Sequence, residues 1–514
     1  MALITGAFFS KITRLLSFHK PPAPKEKVLT KSKFLSGLKC TNLLLYSGNP
    51  EIVRHRSENE WEGNFVQVEQ IRNLARTLFP EGQSVRYSNS RKDLVEKTRS
   101  VMKNNKPIFN AAFCSDSFFT NTDIISPSRE KGGWDLFLAK SSPAIKKYHT
   151  PDIAFQKMVA TLSGIKINDC FIIYVNPDYI FQGEIDPELF FLKKRVTEKV
   201  DSILREIERT AHQYSNLLNG EAFSGIVSKC KSPSECQMVE ACWKDLGDGD
   251  VFSLREGYNI PARLLQDGIR NLRDIPADTE LSFKQSVQVN SEKTGTLHIQ
   301  QENIKSFLEK LKYPFYFLDF ETINPALPLY KNSWPYQHIP FQYSLHIQRD
   351  EFSSPEYYFY LEESSDDPRL DILETLRKLI SDEGSIVVYD DFFEKRCLRE
   401  ATEIYPEYSE WLFQILGNFA DISEPFKSFS YYHPGQKGSA SLKAVLPVLT
   451  GLSYKDLPIK SGGNANTEFL KLKIDPGSFS SDAKEKVRAA LLEYSKLDTY
   501  ALYAIVKELK KITV

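Results

Sequence analysis

The stretch Phe317-Leu318-Asp319-Phe320-Glu321-Thr322 decides the fold of the C-terminal half of this 514-residue chain. It belongs to an apolar run from Phe315 to Phe320 that is bounded by prolines, which is the pattern of a buried strand. Residues two apart on a strand point to the same face, so Asp319 and Glu321 should project together. Acidic side chains seldom stand beside so apolar a strand without a metal, a partner or a raised pKa.

Two further acidic motifs follow in the chain, Tyr389-Asp390-Asp391-Phe392-Phe393-Glu394 and Tyr494-Ser495-Lys496-Leu497-Asp498. The first follows a second predicted strand. The other lies in a predicted helix from Ala483 to Leu509, on which residues four apart share a face, so Tyr494 and Asp498 should project together. Carboxylates from these three motifs are enough to hold two hard cations such as magnesium or manganese. Each motif alone is typical of a solvated surface, but their order and combination favour a metal pair about 4 Å apart, which suits displacement at phosphorus.

The three motifs resemble those of the DEDD exonucleases of the RNase H-like superfamily, in the variety with a tyrosine in the third motif. The matching residues are Asp319, Glu321, Glu394, Tyr494 and Asp498. Asp390 stands where that family has an asparagine, and Ser441-Leu442-Lys443 resembles the start of a family helix. The resemblance implies two magnesium or manganese ions held by the four acids, a tyrosine that orients the attacking water, and 3′–5′ hydrolysis of DNA or RNA.

Composition limits how such a protein would bind nucleic acid. The length predicts two or three domains, and 66 basic residues against 67 acidic ones leave a formal net charge of -1. Binding must therefore come from local patches of cations. Candidate patches are Lys140 to Lys147, Lys193-Lys194-Arg195, and Lys395-Arg396 with Arg399, and the alternative for each is an ordinary solvated face. We expect Lys395 and Arg396, which follow Glu394, and Tyr336, Gln337 and His338, which follow the first strand, to line a substrate groove; simple packing is the alternative for the latter three.

Hydropathy predicts a cytoplasmic protein without a membrane partner, because the chain has no stretch of about twenty uninterrupted apolar residues. Residues 1–18 are predicted to form an amphipathic helix or a mobile tail. Changes in pattern divide the chain into an N-terminal segment (1–28), an α/β domain (29–250), a helical connector and linker (251–299) and a second α/β domain (300–514). The polar stretch from Ser286 to Gly295 is predicted to be the linker.

Three of the seven cysteines are evenly spaced, as Cys230-x5-Cys236-x5-Cys242, and Cys40 lies far upstream. This is the arrangement expected of four thiolates around one metal centre. The spacing is wider than the usual Cys-x2–4-Cys of zinc sites, so it favours an iron–sulfur cluster over zinc. Three helix cysteines without a ligand role are the remaining alternative.

The N-terminal half resembles a RecB-type nuclease domain of the PD-(D/E)xK superfamily that carries a four-cysteine [4Fe–4S] cluster. In such domains one cysteine precedes the core and three follow it, which is the order seen here. The resemblance places the core Asp at Asp123, the Lys at Lys140 and the helix Gln at Gln156, but Leu138 stands at the Glu position. The missing carboxylate predicts a degenerate site that has lost most or all cleavage. The alternative is that Asp123 and Lys140 are ordinary surface charges on an unrelated core.

The chain from about Leu29 onward resembles a bacterial family that fuses these two halves, through strings such as Tyr431-Tyr432-His433-Pro434-Gly435. The predicted fold is α/β, with a degenerate PD-(D/E)xK-like domain followed by an RNase H-like mixed sheet flanked by helices. The predicted function is that of a two-metal nuclease acting on DNA or RNA, either single-stranded or with a free end. The rival prediction is a non-catalytic nucleic-acid-binding or scaffold protein whose first domain is stabilised by the cluster.

Overall fold

The computed structural model describes residues 28–46, 58–129, 132–219, 230, 236, 238–243, 246–257, 260–363, 366–474, 477 and 479–513. The helix or tail predicted for residues 1–18 lies outside these ranges. The fold is mixed α/β and divides into two compact units. Unit 1 comprises Met1–Asp245 and Pro325–Tyr336, and unit 2 comprises Leu246–Asn324 and Gln337–Val514. The predicted connector thus groups with unit 2, while a short segment after the first acidic motif groups with unit 1.

Unit 1 contains nine strands, counted over the described residues, in a six-stranded and a three-stranded sheet. The strands are β1 Leu29–Thr30, β2 Gln83–Ser84, β3 Ile108–Phe109, β4 Ala112–Cys114, β5 Phe118–Asn121, β6 Ile124–Pro127, β7 Trp134–Lys140, β8 Ile167–Val175 and β9 Phe191–Arg195. The helices are α1 Lys31–Lys39, α2 Thr41–Tyr46, α3 Glu58–Arg76, α4 Arg91–Met102, α5 His149–Leu162, α6 Pro187–Phe190, α7 Thr197–Asn219 and α8 Val239–Trp243. The larger sheet has the order β2-β3-β6-β7-β8-β9, and the smaller β1-β5-β4.

The central strand β7 shows why unit 1 has two hydrophobic layers. Its residues alternate between the two faces, as strand geometry requires. Leu136 and Leu138 join the core that includes Phe155 of α5, whereas Phe137 and Ala139 join a separate core on the other face. Lys140 shares the face of Leu138, and this places its ammonium group beside α5.

Unit 2 is built on a five-stranded sheet and a separate two-stranded one. Its strands are β10 His298–Ile299, β11 Phe315–Ile323, β12 Ile339–Gln348, β13 Glu356–Leu361, β14 Ser385–Val388, β15 Phe419–Asp421 and β16 Tyr431–Tyr432. Its helices are α9 Ile260–Gln266, α10 Phe283–Thr294, α11 Gln301–Leu308, α12 Pro368–Leu379, α13 Asp391–Ile404, α14 Ser409–Ile415, α15 Glu424–Lys427, α16 Leu442–Thr450, α17 Gly462–Ile474 and α18 Ser481–Ile512. Short 3-10 turns span Val251–Ser253, Leu272–Asp274, Pro406–Tyr408, Leu416–Asn418 and Pro434–Gln436.

The five-stranded sheet runs β13-β12-β11-β14-β15, with β11 antiparallel to β12 and parallel to β14. The predicted strand around Asp319 is therefore confirmed as the central strand. Tyr316, Leu318 and Phe320 face the hydrophobic core formed with α12, α13 and α14. The alternate residues face α18, where the ring centroids of Phe317 and Tyr503 lie 5.9 Å apart. Asp319 and Glu321 belong to this second face.

Buried polar contacts join α18 to β12. Ser495 Oγ of the helix lies 2.7 Å from Ser344 Oγ, and Thr499 Oγ1 lies 2.8 Å from His346 Nδ1. The side chain of Gln342 donates to the carbonyl of Leu491 at 3.1 Å. Hydrogen bonds between buried groups are directional, so these contacts specify the rotation of α18 as well as its position.

The predicted linker from Ser286 to Gly295 is wrong, because this stretch lies in helix α10 and its C-terminal cap. Ser282 and Gln285 form a reciprocal capping box at the helix start, and Gly295 ends it with a φ of 71°. Gln288 is fully buried and hydrogen-bonds the backbone of Ser253 and Arg255. Polar residues that bury against backbone groups do not produce an apolar stripe, and so the sequence pattern misled the prediction.

Across the described part of the chain, no helix has both the length and the apolar character needed to cross a bilayer.

Candidate metal centre

Three carboxylates of unit 2 meet at one point. Each of Asp319, Glu321 and Asp498 offers an oxygen atom, and these atoms lie within 4.8 Å of one another. Glu321 is 5% exposed and Asp498 is 6% exposed. The group joins the middle of β11 to the middle of α18, which are far apart in sequence. As predicted, Asp319 and Glu321 share one face of β11, and Tyr494 and Asp498 share one face of α18. Where these two faces meet, the residues form one cluster.

Burial and crowding disfavour the charged forms of these acids. Desolvation, followed by the charges of Asp498, Glu321 and Glu394, raises the pKa of Asp319 well above its ordinary value. Burial and the neighbouring Asp498 likewise raise the pKa of Glu321. Burial raises the pKa of Asp498 to about 7. Like charges held together in a buried site can ionise together only if a cation compensates them.

Glu394, the predicted acid of the second motif, lies beside this cluster. It is on the first turn of α13 and is 3% exposed, and its Oε2 has no hydrogen-bond partner among the described residues. Burial, followed by Asp390, Asp421 and Asp391, raises its pKa to about 8. Among the described residues, the group of carboxylates within 4.8 Å of one another contains Asp319, Glu321 and Asp498 but not Glu394. A buried carboxylate oxygen without a partner suits a second cation next to the first.

Tyr494 is placed on α18 beside the carboxylates, as its spacing predicted. Its side chain is 4% exposed, and the backbone N–H of Gly462 donates a hydrogen bond to it. Burial and then Asp498, Glu321 and Asp319 raise the pKa of its hydroxyl. The phenol therefore keeps its proton at neutral pH and can act as a hydrogen-bond donor.

The structure adds Tyr454 to the site, a residue that the sequence reasoning missed. Its hydroxyl donates to Asp498 Oδ1 at 2.6 Å, and its side chain is buried. The ammonium of Lys443 lies 5.5 Å from the Tyr454 ring centroid and 5.6 Å from that of Tyr494. Lys443 was visible in the Ser-Leu-Lys string, but Tyr454 lies in an irregular segment where no periodicity marks it.

The acid pKa values predict that unit 2 without metal loses stability as pH rises from 6.5 to 8.5. The folded state keeps protons on Asp498, Glu394 and their neighbours that the unfolded chain has already released, so the free energy of unfolding falls as these groups ionise. The loss should be on the order of 2 kcal/mol at about 1.4 kcal/mol per pKa unit. Partly buried His338 and buried His346, with pKa values of about 4, act in the opposite sense, but only below about pH 6.5.

Thermal unfolding in EDTA at pH 6.5 and 8.5 measures this effect. Asp498→Asn should reduce the difference in melting temperature between the two conditions, because one of the titrating charges is removed. Addition of manganese at pH 8.5 should restore the stability of the wild type. A melting temperature in EDTA that is higher at pH 8.5 than at pH 6.5 would contradict the prediction.

The five predicted substrate-binding residues have different environments. Gln337 is 2% exposed and accepts a hydrogen bond from buried Arg369 at 3.3 Å, which is a packing role. His338 Nδ1 lies 3.1 Å from the hydroxyl of Thr322, the residue that directly follows Glu321. The imidazole ring of His338 meets the Phe393 ring edge-on. Arg396 lies over the same Phe393 ring at 5.5 Å with its side chain 34% exposed.

Lys395 and Tyr336 have other partners. Lys395 pairs with Asp391 and lies 5.3 Å from the Phe419 ring centroid. Tyr336 belongs to unit 1, where its hydroxyl lies 3.1 Å from Ser141 Oγ. His338 and Arg396 are thus the two predicted groups that lie near the carboxylates with partly exposed side chains, although Arg396 also pairs with Glu400 at 3.5 Å.

A second acidic group consists of Asp390, Asp391 and Asp421, whose carboxylates also approach within 4.8 Å. Lys427 lies 3.0 Å from Asp421 and 3.8 Å from Asp390, and Lys395 pairs with Asp391. The lysines compensate these three charges. Asp390, with a φ of 77°, begins α13 and so helps to place Glu394 on its first turn.

The four predicted cysteines come together in unit 1. Cys40, Cys230, Cys236 and Cys242 line one small cavity with Met238 and Val239. Burial, and then the nearby thiols of Cys230, Cys40 and Cys236, raise the pKa of Cys242 to about 11, and Asn42 donates to its sulfur at 3.5 Å. Thiols that raise one another's pKa can be thiolates together only beside a compensating cation.

The residues predicted for the degenerate site in unit 1 are engaged in structural contacts. Lys140 Nζ lies 2.6 Å from Asp152 Oδ2, and Gln156 donates to the other oxygen of Asp152 at 2.8 Å. Asp123 accepts from the backbone of Ala139 at 3.0 Å. Leu138 is fully buried. Asp152 was not singled out from the sequence. It forms an ion pair with Lys140, the lysine that a catalytic site of this kind would use.

Replacing Lys140 by alanine should destabilise unit 1 by about 3–5 kcal/mol, because Asp152, 1% exposed, would lose the ammonium that lies 2.6 Å from it and keep only the charge of Lys31. Chemical unfolding followed by tryptophan fluorescence provides the measurement. Lys103→Ala, at the exposed end of α4, serves as the control and should change stability little. Equal unfolding midpoints for the two variants would show that the buried pair contributes nothing.

The fold and the site define a mixed α/β chain with a buried three-carboxylate centre, and comparisons with known proteins cover part of it. A family model described as "Domain of unknown function (DUF2779)" matches residues 316–441, which include Asp319, Glu321 and Glu394. The chain is 27% identical over 224 residues to "Uncharacterized protein MG366 homolog" of Mycoplasma pneumoniae, covering 39% of this chain and 33% of that protein. It is 25% identical over 236 residues to "Uncharacterized protein MG366" of Mycoplasma genitalium, covering 42% and 34%. The chain thus spans about a third of the length of the curated relatives it matches.

Proposed function

We propose that this chain is a two-metal-dependent nuclease that hydrolyses phosphodiester bonds of DNA or RNA. The observation that carries the proposal is the convergence of Asp319, Glu321 and Asp498 within 4.8 Å, with Asp319 partly buried and the other two buried. Placing three acids so close together with so little solvent costs stability unless a cation binds there. The oxygen-only donor set suits magnesium or manganese.

The topology of unit 2 supports the same proposal. Its sheet order, numbered from β11 as the first strand, is third-second-first-fourth-fifth, and its second strand is antiparallel to the first. This is the arrangement expected of the RNase H-like fold that the three motifs resemble.

Four acids would hold the ions: Asp319, Glu321 and Asp498 in the compact group, with Glu394 at its side. When bound, such ions lower the pKa of a water molecule and stabilise the leaving oxygen. The protonated hydroxyl of Tyr494 can donate a hydrogen bond to that water and orient it. Release of nucleotides from the 3′ end is the polarity that the resemblance implies.

The substrate is proposed to be single-stranded nucleic acid or a duplex with a free end. With a net charge of -1, the chain must use local cations to attract phosphate. Arg396, beside His338 and Phe393, offers a guanidinium for a phosphate and aromatic surface for a base.

We also propose an iron–sulfur cluster in unit 1, of the [4Fe–4S] type, held by Cys40, Cys230, Cys236 and Cys242. All four cysteines line one small cavity, so their thiols can share one metal centre. Their Cys-x5-Cys-x5-Cys spacing is wider than the usual Cys-x2–4-Cys of zinc sites. This spacing favours a cluster over a single zinc ion.

The rival proposal is a nucleic-acid-binding or scaffold protein without turnover. The Lys140–Asp152 pair and the buried Leu138 favour a unit 1 that does not cleave, as this rival requires. No such change is present in the acidic motifs of unit 2, where all four acids and the tyrosine are present.

A substrate panel tests the function. The purified protein is incubated with manganese and with 5′-labelled single strands of DNA or RNA, with and without 3′ phosphorothioate protection. A 3′–5′ exonuclease shortens the unprotected strands in single-nucleotide steps and leaves protected strands intact. Binding that persists in EDTA without any cleavage in manganese would favour the rival.

A further inference from the structure

Tyr454 lies directly behind the metal ligands of unit 2, in the segment between α16 and α17. We propose that Tyr454 is a positioning residue of the metal centre, which orients Asp498 and, together with Tyr494, holds the ammonium of Lys443 beside the carboxylates. This inference rests on the proposed metal-dependent function and goes beyond the five residues that the acidic motifs supply.

The contact with Asp498 carries the first part of the inference. The Tyr454 hydroxyl lies 2.6 Å from Asp498 Oδ1, and both side chains are 6% exposed. A hydroxyl that donates to one oxygen of a carboxylate restricts the rotation of that carboxylate and leaves the other oxygen for a cation. Outer-shell hydrogen bonds of this kind orient metal ligands and raise metal affinity.

The position of Lys443 carries the second part. The rings of Tyr454 and Tyr494 lie 5.7 Å apart with an angle of 52° between their planes, and the ammonium is within 5.6 Å of both. Lys443 also donates to the carbonyl of Lys460 at 2.5 Å. Its charge lowers the pKa values of Glu321 and Asp498, against the effect of their burial. The two tyrosines thus maintain a fixed cation at the edge of the site.

The surrounding segment explains how this arrangement is held. Tyr454 and Lys460 belong to residues 451–461, and Gly462, at the start of α17, donates its N–H to Tyr494. A Cβ atom at Gly462 would lie 3.5 Å from Glu321 Oε2, so the segment is in close contact with the acids. It therefore forms a wall of the site that the acidic motifs do not include.

The experiment measures manganese binding by electron paramagnetic resonance of the free ion, using the full-length protein. Tyr454→Phe keeps the ring but removes the donor, and should weaken manganese binding about 10- to 100-fold. Saturating manganese should recover much of the lost activity. Tyr431→Phe, which alters a buried tyrosine elsewhere in unit 2, is the matched control and should bind manganese like the wild type.

The outcomes separate the inference from the proposed function. If Asp498→Asn weakens binding but Tyr454→Phe does not, the positioning role is overturned while the metal centre stands. If the wild type binds no manganese, or Asp498→Asn binds it equally well, the metal-dependent function itself fails. Circular dichroism checks that each variant is folded. Should Tyr454→Phe fail to fold, 4-aminophenylalanine is placed at position 454, because it has a similar shape and a weaker hydrogen-bond donor. The inference then requires this variant to bind manganese more weakly than the wild type. Manganese affinity equal to that of the wild type overturns the inference.

Discussion

Replacing Asp319 by asparagine should abolish manganese-dependent cleavage, lowering the rate on the order of 10³-fold or more. Asp319 belongs to the group whose three carboxylates lie within 4.8 Å of one another, and the charge of Glu394 also acts on it. An amide of the same shape keeps the packing of β11 but removes one negative charge from the ions' ligand set. The effect should therefore appear in catalysis and in manganese binding without a loss of fold.

The matched control is Asp123→Asn, which makes the same change at the site that the sequence predicts to be degenerate in unit 1. It should leave the cleavage rate within about twofold of the wild type, because Asp123 accepts from the backbone of Ala139 and its partners there are structural. Cleavage rates are measured on a 5′-labelled single strand under single-turnover conditions. Full activity in Asp319→Asn would refute the assignment, and loss of activity only in Asp123→Asn would move the active site to unit 1.

Replacing Cys242 by serine should prevent binding of the proposed cluster in unit 1 and lower the melting temperature of this unit by about 10 °C or more. The free energy of binding a structural metal contributes directly to folding, and a loss of several kcal/mol shifts the melting temperature by this amount. Iron content and the brown colour of anaerobically purified protein report the cluster, and thermal unfolding reports stability. Zinc in place of iron would support the alternative, a zinc ion bound by the same four thiols.

Cys114→Ser provides the control for this experiment. Cys114 is a partly exposed cysteine of unit 1 whose thiol donates to the carbonyl of Ser115, a bond that serine can also make. It should keep both metal and stability. A colourless, metal-free wild type whose stability is unchanged in Cys242→Ser would show that the four thiols are only core residues.

Local periodicity accounts for what could be predicted about the candidate site. The strand at Asp319 and the helix at Tyr494 were predicted because alternation and helical spacing depend on neighbouring residues alone. The helix α10 was missed because its buried face is polar, with Gln288 bonded to backbone groups 33 to 35 residues away. No pattern within a short window records such a partner.

Long-range contacts account for the rest of the site. Tyr454 donates a hydrogen bond to Asp498, which lies 44 positions later in the chain, and Lys140 forms an ion pair with the buried Asp152. Glu394 lies beside the compact group because the turn at Asp390 begins α13 at that point. None of these relationships follows from spacing along the chain.

The sequence by itself therefore determined the central strand, the long C-terminal helix, and which of their residues share a face, because these follow from the geometry of single elements. Only the tertiary structure decided that Asp319, Glu321 and Asp498 meet within 4.8 Å, that Glu394 is placed beside them, and that Tyr454 fixes Asp498. The physical reason is that packing of the helix on the sheet, specified by buried hydrogen bonds such as Ser495 to Ser344, sets distances that no single element contains.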